Sequence, residues 1–262
     1  MDLKLNEKTA FVCGSTQGIG KASAEALAKL GARVVLIARN AAALQTVCQS
    51  LETPDHQQHS FIQADFTKPD ELQENIAEFL KDNSAVHILI NNTGGPPGGE
   101  AAAARTDEFT AAFSQHLICN QILMQAVVPG MKDAGYGRII NVISTSVKQP
   151  IAGLGVSNTI RGAVANWAKT LSKELASFGI TVNNVLPGMT NTRRLAYVIQ
   201  VTAEKAGKSV DDVRKKMISQ IPAARLAEAE EVANAVAFLA SPAAGYINGI
   251  NLPVDGGRTQ SL

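Results

Sequence analysis

Short runs of β-branched residues alternate along this chain with longer, alanine-rich stretches of helical period. The runs predict seven strands, at residues 9–13, 33–38, 60–64, 86–91, 138–143, 180–186 and 250–254. The stretches between them predict helices at residues 19–30, 41–51, 69–81, 106–131, 157–178 and 228–239. Strands that alternate with helices require right-handed crossovers, which produce a parallel sheet covered on both faces. The expected fold is therefore α/β, a doubly wound parallel sheet of about seven strands.

The length of the chain, 262 residues, suits one large domain or two small ones. No composition break, internal repeat or low-complexity linker divides the sequence. The glycine-rich stretch at residues 94–104 is better explained as a loop than as a domain boundary. We therefore expect a single domain over residues 1–262.

The composition argues against several classes of partner. Lys and Arg number 24 against 23 Asp and Glu, a net charge of +1, whereas proteins that bind nucleic acid or membrane surfaces usually present a basic face. Cys13, Cys48 and Cys119 have neither metal-ligand spacing nor the even number of a disulfide framework. No apolar run approaches the ~20 residues of a membrane helix, and the N-terminus lacks an apolar targeting core. These features predict a cytoplasmic protein that binds no metal, nucleic acid or membrane.

The first predicted strand runs into a glycine-rich turn that opens the first helix. The residues of this turn are Gly14, Ser15, Thr16, Gln17, Gly18, Ile19 and Gly20. Glycines let the backbone turn tightly and let a pyrophosphate lie against the helix N-terminus, where free N–H groups and the helix dipole favour anions. In this strand–turn–helix context the pattern predicts a dinucleotide site of the Rossmann type.

The end of the second predicted strand bears on which dinucleotide binds. An NAD site usually has a carboxylate there, about 20 residues after the glycines, to bind the ribose 2′-hydroxyl. This chain has Ala38, Arg39 and Asn40 instead, and a guanidinium suits the charged 2′-phosphate of NADP. NADP is therefore the expected cofactor and NAD the less favoured one. The alternative is that Arg39 is an exposed cation that contacts no ligand.

Further motifs follow the later strands in order. They are Asp65, the sequence Asn-Asn-Thr-Gly at 91–94, Ser144, Pro187-Gly188 and the sequence Val-Asp-Gly-Gly at 254–257. Together with the Gly-x-x-x-Gly-x-Gly spacing of the first turn, they resemble the short-chain dehydrogenase/reductase family over essentially the whole chain. The resemblance is greatest to the branch that contains the β-ketoacyl carrier-protein reductases.

This resemblance implies an NADP-dependent oxidoreductase that acts on a carbonyl or alcohol, such as a 3-oxoacyl compound. Beyond the first turn, the resemblance implies that Asp65 and Phe66 lie near the adenine and that Asn91 and Gly94 support the adenosine side. Arg161 is a further implied cofactor ligand. Pro187 and Gly188 form the turn that leads to Thr192, and Thr192 would bind the carboxamide. The segment at about 190–225 would cover a small-molecule substrate, and its basic side chains face either solvent or an anionic carrier. Apolar stretches at 118–128 and 160–171, together with the family likeness, predict a homotetramer.

The catalytic positions depart from the family pattern of Asn, Ser, Tyr and Lys. Ser144 stands where the family serine is expected, but Ser157 and Arg161 replace the residues of the Tyr-x-x-x-Lys motif, and His116 replaces the Asn. Ser157 and Arg161 are four residues apart and so share one helical face. Arg161 keeps the positive charge of the lysine and can bind a ribose diol, whereas a serine hydroxyl is no acid near neutral pH. The predicted catalytic set is Ser144, Ser157, Arg161 and His116.

The source of the substrate proton has two candidates in the sequence. His116, with an ordinary pKa near ~6.5, can supply a proton, or it is a packed helix residue without a chemical role. Tyr197 lies in the covering segment and can reach the site, or it belongs to an exposed amphipathic helix with Leu195, Val198 and Ile199. Two functions fit these residues: an oxidoreductase with altered acid–base groups, or a nucleotide-binding protein with little turnover that serves as a cofactor sensor or an assembly subunit.

Overall fold

In the computed structural model, which describes residues 1–82 and 85–261, seven strands form one parallel sheet. The strands are β1 (Thr9–Cys13), β2 (Arg33–Ala38), β3 (Ser60–Gln63), β4 (Ile88–Asn91), β5 (Gly137–Val142), β6 (Ile180–Pro187) and β7 (Asn251–Val254). Their order across the sheet is β3-β2-β1-β4-β5-β6-β7, and all neighbours are parallel. The chain starts near the centre and winds outwards on both sides, which confirms the Rossmann-type doubly wound sheet.

Helices connect the strands across both faces of the sheet. They are α1 (Gly18–Lys29), α2 (Ala41–Ser50), α3 (Pro69–Lys81), α4 (Thr106–Phe113), α5 (Cys119–Asp133), α6 (Gly155–Glu174), α7 (Arg193–Ala206), α8 (Val210–Ile218) and α9 (Ala229–Ala240). One buried cluster packs α1, α2 and α9 against the strands through residues such as Leu27 and Val236. A second cluster packs α3, α5 and α6 against the other face through residues such as Leu72 and Leu123. Because both faces are covered, the strands are apolar throughout rather than alternating.

The position of a ligand site follows from the strand order. β1 and β4 are neighbours, but the connections that leave them run towards opposite edges of the sheet. In open parallel sheets a crevice forms at such a reversal, outside the carboxyl ends of the strands. The loops after β1, β4, β5 and β6 all lie at this edge, and these are the loops that carry the predicted site residues.

The predicted helix at residues 106–131 is not continuous, which corrects the sequence-based expectation. α4 ends at Phe113, the five residues Ser114–Ile118 form a π-helical turn, and α5 begins at Cys119. A π turn adds one residue to a helical turn and redirects the side chains within it, and it occurs often at functional sites. Here it contains the buried residue His116. Hydrophobic periodicity cannot detect such an insertion, since the flanking turns keep their apolar face.

The other predicted boundaries agree more closely with the structure. The helix predicted at 157–178 is α6, which ends at Glu174 and is followed by a 3₁₀ turn at Ala176–Phe178. The segment at about 190–225 contains two helices, α7 and α8, joined near Gly207. Gly207 has a φ of +60°, a left-handed conformation that ends α7.

Two further observations concern membranes and metals. Across residues 1–82 and 85–261, no helix combines the length and the apolarity needed to cross a membrane. The same part of the chain brings together no group of three or more His, Cys, Asp or Glu side chains that could hold a metal ion. Cys13, Cys48 and Cys119 are free thiols, and the first and last of these are buried.

Candidate active site

The glycine-rich turn after β1 has a backbone that only glycine fits well. Gly14 and Gly18 have φ values of +60° and +53°, in the left-handed region. A Cβ on Gly14 would overlap the carbonyl oxygen of Asn92, and a Cβ on Gly20 would overlap the carbonyl oxygen of Gly14. The turn is therefore folded tightly against the end of β4, and Asn92 Nδ2 fixes it there by donating to the carbonyl oxygens of Cys13 (3.2 Å) and Gly14 (3.4 Å).

The start of α1 is open to an anion. Gln17, the N-cap residue, makes no side-chain cap bond within the described residues, and the first turn of α1 holds no acidic side chain. The N–H groups and the positive end of the helix dipole are consequently available to a phosphate. The hydroxyl of Ser15 is fully buried beside this turn and has no hydrogen-bond partner in the part of the chain that the structure describes. These features fit the pyrophosphate of a dinucleotide.

Two predicted cofactor residues, Arg39 and Asp65, lie at the ends of neighbouring strands. Arg39 follows β2, is exposed, and its carbonyl oxygen accepts a 3.0 Å bond from Gln63 Nε2 at the end of β3. The N–H of Thr67 donates to Asp65 Oδ1 at 2.9 Å, and this bond, with the charge of Arg39, lowers the pKa of Asp65. Phe66, next in the chain, is almost fully buried. The Arg39 side chain is therefore exposed at this corner, and its charge acts on Asp65.

Asn91 is the last residue of β4. Its side chain is 3% exposed, and Nδ2 donates to Asn141 Oδ1 at 2.9 Å inside the core. Strand parity directs the side chain towards α5 and α6, where its bond to Asn141 ties the end of β4 to β5; a role for Asn91 on the adenosine side stays a prediction. Gly94, three residues later, borders open space: no described atom lies within 4 Å of the position that its Cβ would take.

The turn after β6 reaches across to the glycine-rich turn. Pro187 ends β6, and the N–H of Gly188 donates to the Val254 carbonyl at 2.9 Å, which ties the turn to β7. Thr192 caps α7, its hydroxyl accepting from the N–H of Leu195 at 3.3 Å. The Thr192 methyl group lies 3.2 Å from the position that a Cβ on Gly18 would take. The turn after β6 and the glycine-rich turn after β1 therefore lie in close contact.

Ser144, Ser157 and Arg161 come from two elements that meet at the carboxyl end of β5. Ser144 follows β5, and its Oγ accepts from the N–H of Ser146 at 3.1 Å, which leaves the hydroxyl hydrogen free to donate. Ser157 and Arg161 are buried on the same face of α6. Arg161 Nη1 donates to the Val142 carbonyl at 3.4 Å. Burial lowers the pKa of Arg161 to about 10, so its guanidinium remains protonated at neutral pH.

The environment of His116 corrects the expectation of an ordinary pKa. His116 is 1% exposed, and its Nδ1 lies 2.6 Å from the hydroxyl oxygen of Thr93. Burial, with a further contribution from the charge of Arg161, lowers the pKa of His116 to about 3. The ring is therefore neutral from mildly acidic pH upwards and cannot act as an imidazolium acid near pH 6.5.

The three tyrosines do not replace the missing phenol at position 157. The hydroxyl of Tyr136 donates to the Ala240 carbonyl at 2.7 Å, at the amino edge of the sheet. Tyr246 is fully exposed before β7. Tyr197 is 62% exposed on α7, where Ile199 and Ala203 form the buried side. The amphipathic-helix interpretation of the segment around Tyr197 is the one that fits this burial.

Two contacts that the sequence did not indicate complete the site. Thr93 is a partner of His116, and Arg194 Nη2 donates to the Pro96 carbonyl at 3.0 Å, joining α7 to the loop after β4. The Asn-Asn-Thr-Gly motif pointed to the right loop but not to the role of its threonine. Nothing in the local pattern around Arg194 signals its contact, because the two partners are 98 residues apart.

Comparison with known proteins gives the site its context. A family profile described as enoyl-(acyl carrier protein) reductase matches residues 14–259. The 3-oxoacyl-(acyl-carrier-protein) reductase of Vibrio cholerae is 33% identical over 255 residues, which cover 97% of this chain and 98% of the relative. The chain belongs to the short-chain dehydrogenase/reductase family of oxidoreductases.

Other members of the short-chain dehydrogenase/reductase family match over equal lengths. The NADPH-dependent reductase BacG of Bacillus subtilis is 29% identical and covers 98% of this chain and 100% of the relative. The crystal structure of L-sorbose reductase from Gluconobacter frateurii, complexed with NADPH and L-sorbose, has a TM-score of 0.93 and 28% identity, with full coverage of both chains. The family fold is thus shared from end to end.

Proposed function

We propose that this protein is an NADP-dependent oxidoreductase that transfers hydride between NADPH and a carbonyl or alcohol substrate. The observation that carries the proposal is the convergence of the glycine-rich turn, the open start of α1 and the Thr192 cap, at the edge of the sheet where Ser144 follows β5. The family membership and the NADPH named for the relatives in Bacillus and Gluconobacter support the same cofactor. A 3-oxoacyl compound is one candidate substrate, by likeness to the Vibrio relative.

The residues of the cofactor site have separate tasks in this proposal. The turn from Gly14 to Gly20 holds the pyrophosphate, and Arg39 binds the 2′-phosphate, with Asp65 and Phe66 near the adenine. Gly94 and the turn from Pro187 to Thr192 border the rest of the dinucleotide. Arg161 donates to the hydroxyl groups of the nicotinamide ribose, as the family lysine would.

The reaction uses few groups of this chain. NADPH, when bound, supplies the hydride. Ser144 donates its free hydroxyl hydrogen to the substrate oxygen and so stabilises the negative charge that develops there. Because its pKa is lowered, the ring of His116 is not an imidazolium near neutral pH and has no acidic proton to give, so in this proposal the proton that completes the alcohol comes from water.

Turnover separates this proposal from a binding protein without activity. Absorbance at the reduced nicotinamide band would be followed with NADPH and a panel containing acetoacetyl-CoA, L-sorbose and simple aromatic ketones. Substrate-dependent loss of NADPH, faster than the corresponding loss of NADH, is the expected result. Tight binding of NADPH without oxidation by any of these compounds would favour a cofactor sensor or an assembly subunit instead.

We further propose that residues 1–262 act as one dinucleotide-binding domain in which the segment at about 190–225 covers the substrate. The Arg194 bond to Pro96 and a parallel bridge between Thr190 and Ala227 support a cover of this kind.

The protein is proposed to be a cytoplasmic homotetramer. Exposed Phe113 and Ile118, 41% and 37% accessible on the α4–α5 side, supply apolar surface for such an assembly. Light scattering at micromolar concentration tests it, and a monomer would contradict it.

A further inference from the structure

A buried cation and a buried ring nitrogen converge on the loop after β4. Arg161 is 7% exposed, and its Nη2 lies 4.0 Å from the position that a Cβ on Gly95 would take. His116 bonds Thr93, two residues before Gly95, and its Nε2 is buried without a hydrogen-bond partner among the residues described. Arg161 and His116 are thus each more than nine-tenths buried, and both face the loop at residues 93–95. Each still has nitrogen atoms available for further hydrogen bonds.

The charge of Arg161 also lacks a counter-ion. No Asp or Glu of the described chain lies within ion-pair distance of its guanidinium, whose recorded bond goes to the Val142 carbonyl. A buried charge without a partner is costly, so a bound ligand of opposite charge would stabilise Arg161. Ribose hydroxyls can accept hydrogen bonds from Arg161, but they are neutral and leave the charge unbalanced.

The number of donors leaves room for an anion beside the ribose. A guanidinium has five N–H groups. One is directed at Val142, and two suffice for a ribose diol, so two remain, in the coplanar arrangement that matches the two oxygens of a carboxylate. In the tautomer whose Nδ1 accepts from the Thr93 hydroxyl, the hydrogen of the neutral His116 ring lies on Nε2 and provides a further donor.

We propose that the substrate carries a carboxylate next to its carbonyl group, and that Arg161 and His116 Nε2–H bind this carboxylate. The inference rests on the proposed oxidoreductase function and narrows its substrate class to oxo acids. Arg161 is bonded to Val142, two residues before Ser144, so an anion held by the guanidinium lies close to an oxygen held by Ser144. That proximity suits 2-oxo or 3-oxo acids, whose carboxylate is one or two bonds from the ketone carbon.

Paired ligands that differ only in charge test the inference. Calorimetry would measure the binding of benzoylformate and of its uncharged methyl ester to the NADP⁺-saturated protein. We expect the acid to bind at least about ten-fold more tightly than the ester, which corresponds to ~1.4 kcal/mol. In Arg161→Gln the two ligands should bind about equally, and in His116→Phe the preference should fall part of the way.

Controls separate charge recognition from folding and from the proposed function. Lys132→Gln removes one positive charge at the far end of α5 and should keep the full preference. Arg161→Lys keeps the positive charge but not the planar guanidinium, so it should keep part of the preference for the acid over the ester. This variant also tests the inference if Arg161→Gln does not fold. Equal binding of acid and ester to the natural protein would overturn the inference, as would an equal loss of both ligands in Arg161→Gln. NADPH binding and ester reduction in the natural protein report on the oxidoreductase function independently.

Discussion

Asn91 donates through Nδ2 to Oδ1 of Asn141 at 2.9 Å, and this bond begins a ladder of amide side chains across four parallel strands. Asn141 donates to Asn184 at 2.9 Å, and Asn184 donates to Asn251 at 2.8 Å. The residues are direct register partners on β4, β5, β6 and β7. The ladder lies on the sheet face covered by α5 and α6, and its first two members, Asn91 and Asn141, lie near the carboxyl ends of β4 and β5.

Removing one member of the ladder should destabilise the fold. Asn141→Leu leaves a donor of Asn91 and an acceptor of Asn184 unpaired in the core, at ~1–3 kcal/mol for each. We expect a loss of about 2–6 kcal/mol in the free energy of unfolding, measured by urea denaturation. Gln45→Ala, an exposed change on α2, is the control and should alter it by less than ~0.5 kcal/mol. An effect of that small size in Asn141→Leu would mean that the ladder is replaceable by apolar packing.

The choice between NADP and NAD should depend on Arg39. A charge-assisted hydrogen bond to the 2′-phosphate contributes ~1.5–3 kcal/mol, or about ten- to a hundred-fold in affinity. Arg39→Ala should therefore weaken NADPH by that factor and leave NADH nearly unchanged, as measured by titration of cofactor fluorescence. Lys29→Ala, which removes an exposed cation at the far end of α1, should change neither. Equal weakening of both cofactors would show that Arg39 acts on the fold.

Ser144 should matter to turnover and not to cofactor binding. Its hydroxyl stabilises the substrate oxygen as hydride arrives, so Ser144→Ala should lower kcat by about a hundred-fold and keep the NADPH dissociation constant. Ser172→Ala, a buried serine near the other end of α6, is the matched control. A Ser144→Ala protein with full kcat would show that another group holds the substrate oxygen.

Restoring the family motif should speed reduction of a neutral substrate. Ser157→Tyr with Arg161→Lys supplies a phenol as general acid and a lysine to lower its pKa, and general acids contribute ~10²–10⁴-fold. We expect at least about ten-fold faster reduction of methyl benzoylformate in steady-state assays. If the rate stays the same, proton transfer does not limit the natural enzyme.

Stability should fall in mild acid because two histidines accept backbone bonds in their neutral form. His87 Nδ1 accepts from the N–H of Thr9 at 3.1 Å, and His59 Nδ1 accepts from the N–H of Val34 at 3.0 Å, each at the start of a strand. Burial lowers the pKa of both, and the charge of Lys8 lowers that of His87 further. As pH falls, these histidines are therefore protonated in the unfolded chain before they are protonated in the folded chain. The stabilisation is complete above pH ~6.5 and is lost as pH falls below that value.

Urea unfolding at pH 8 and pH 5.5 measures this loss. His87→Asn keeps an acceptor in place of Nδ1 and removes the titration, so it should reduce the pH dependence. His56→Asn, at an exposed left-handed position that asparagine tolerates, should leave it unchanged. The same pH dependence in all three proteins would assign the effect to other groups, among them His116, whose lowered pKa acts in the same direction.

Much of this architecture could be predicted from the order of local patterns. The seven strands follow from β-branched runs, and the glycine turn from backbone conformations that only glycine adopts readily. The candidate residues Ser144, Ser157 and Arg161 follow from their spacing in motifs. Each of these signals is local, because it depends on what a short stretch of backbone can do by itself.

The sequence by itself therefore determined the sheet, its winding and the loops that carry the site. Only the tertiary structure decided the state of the side chains there. The ordinary pKa assumed for His116 was wrong because burial and the charge of Arg161 come from elements distant in sequence. Likewise, the hydrogen-bond partner of Asn91 could not be predicted locally, because Asn141 is 50 residues away on the next strand. Protonation and hydrogen-bond partners depend on solvent exclusion and charges that only the assembled fold brings together, and no local pattern contains them.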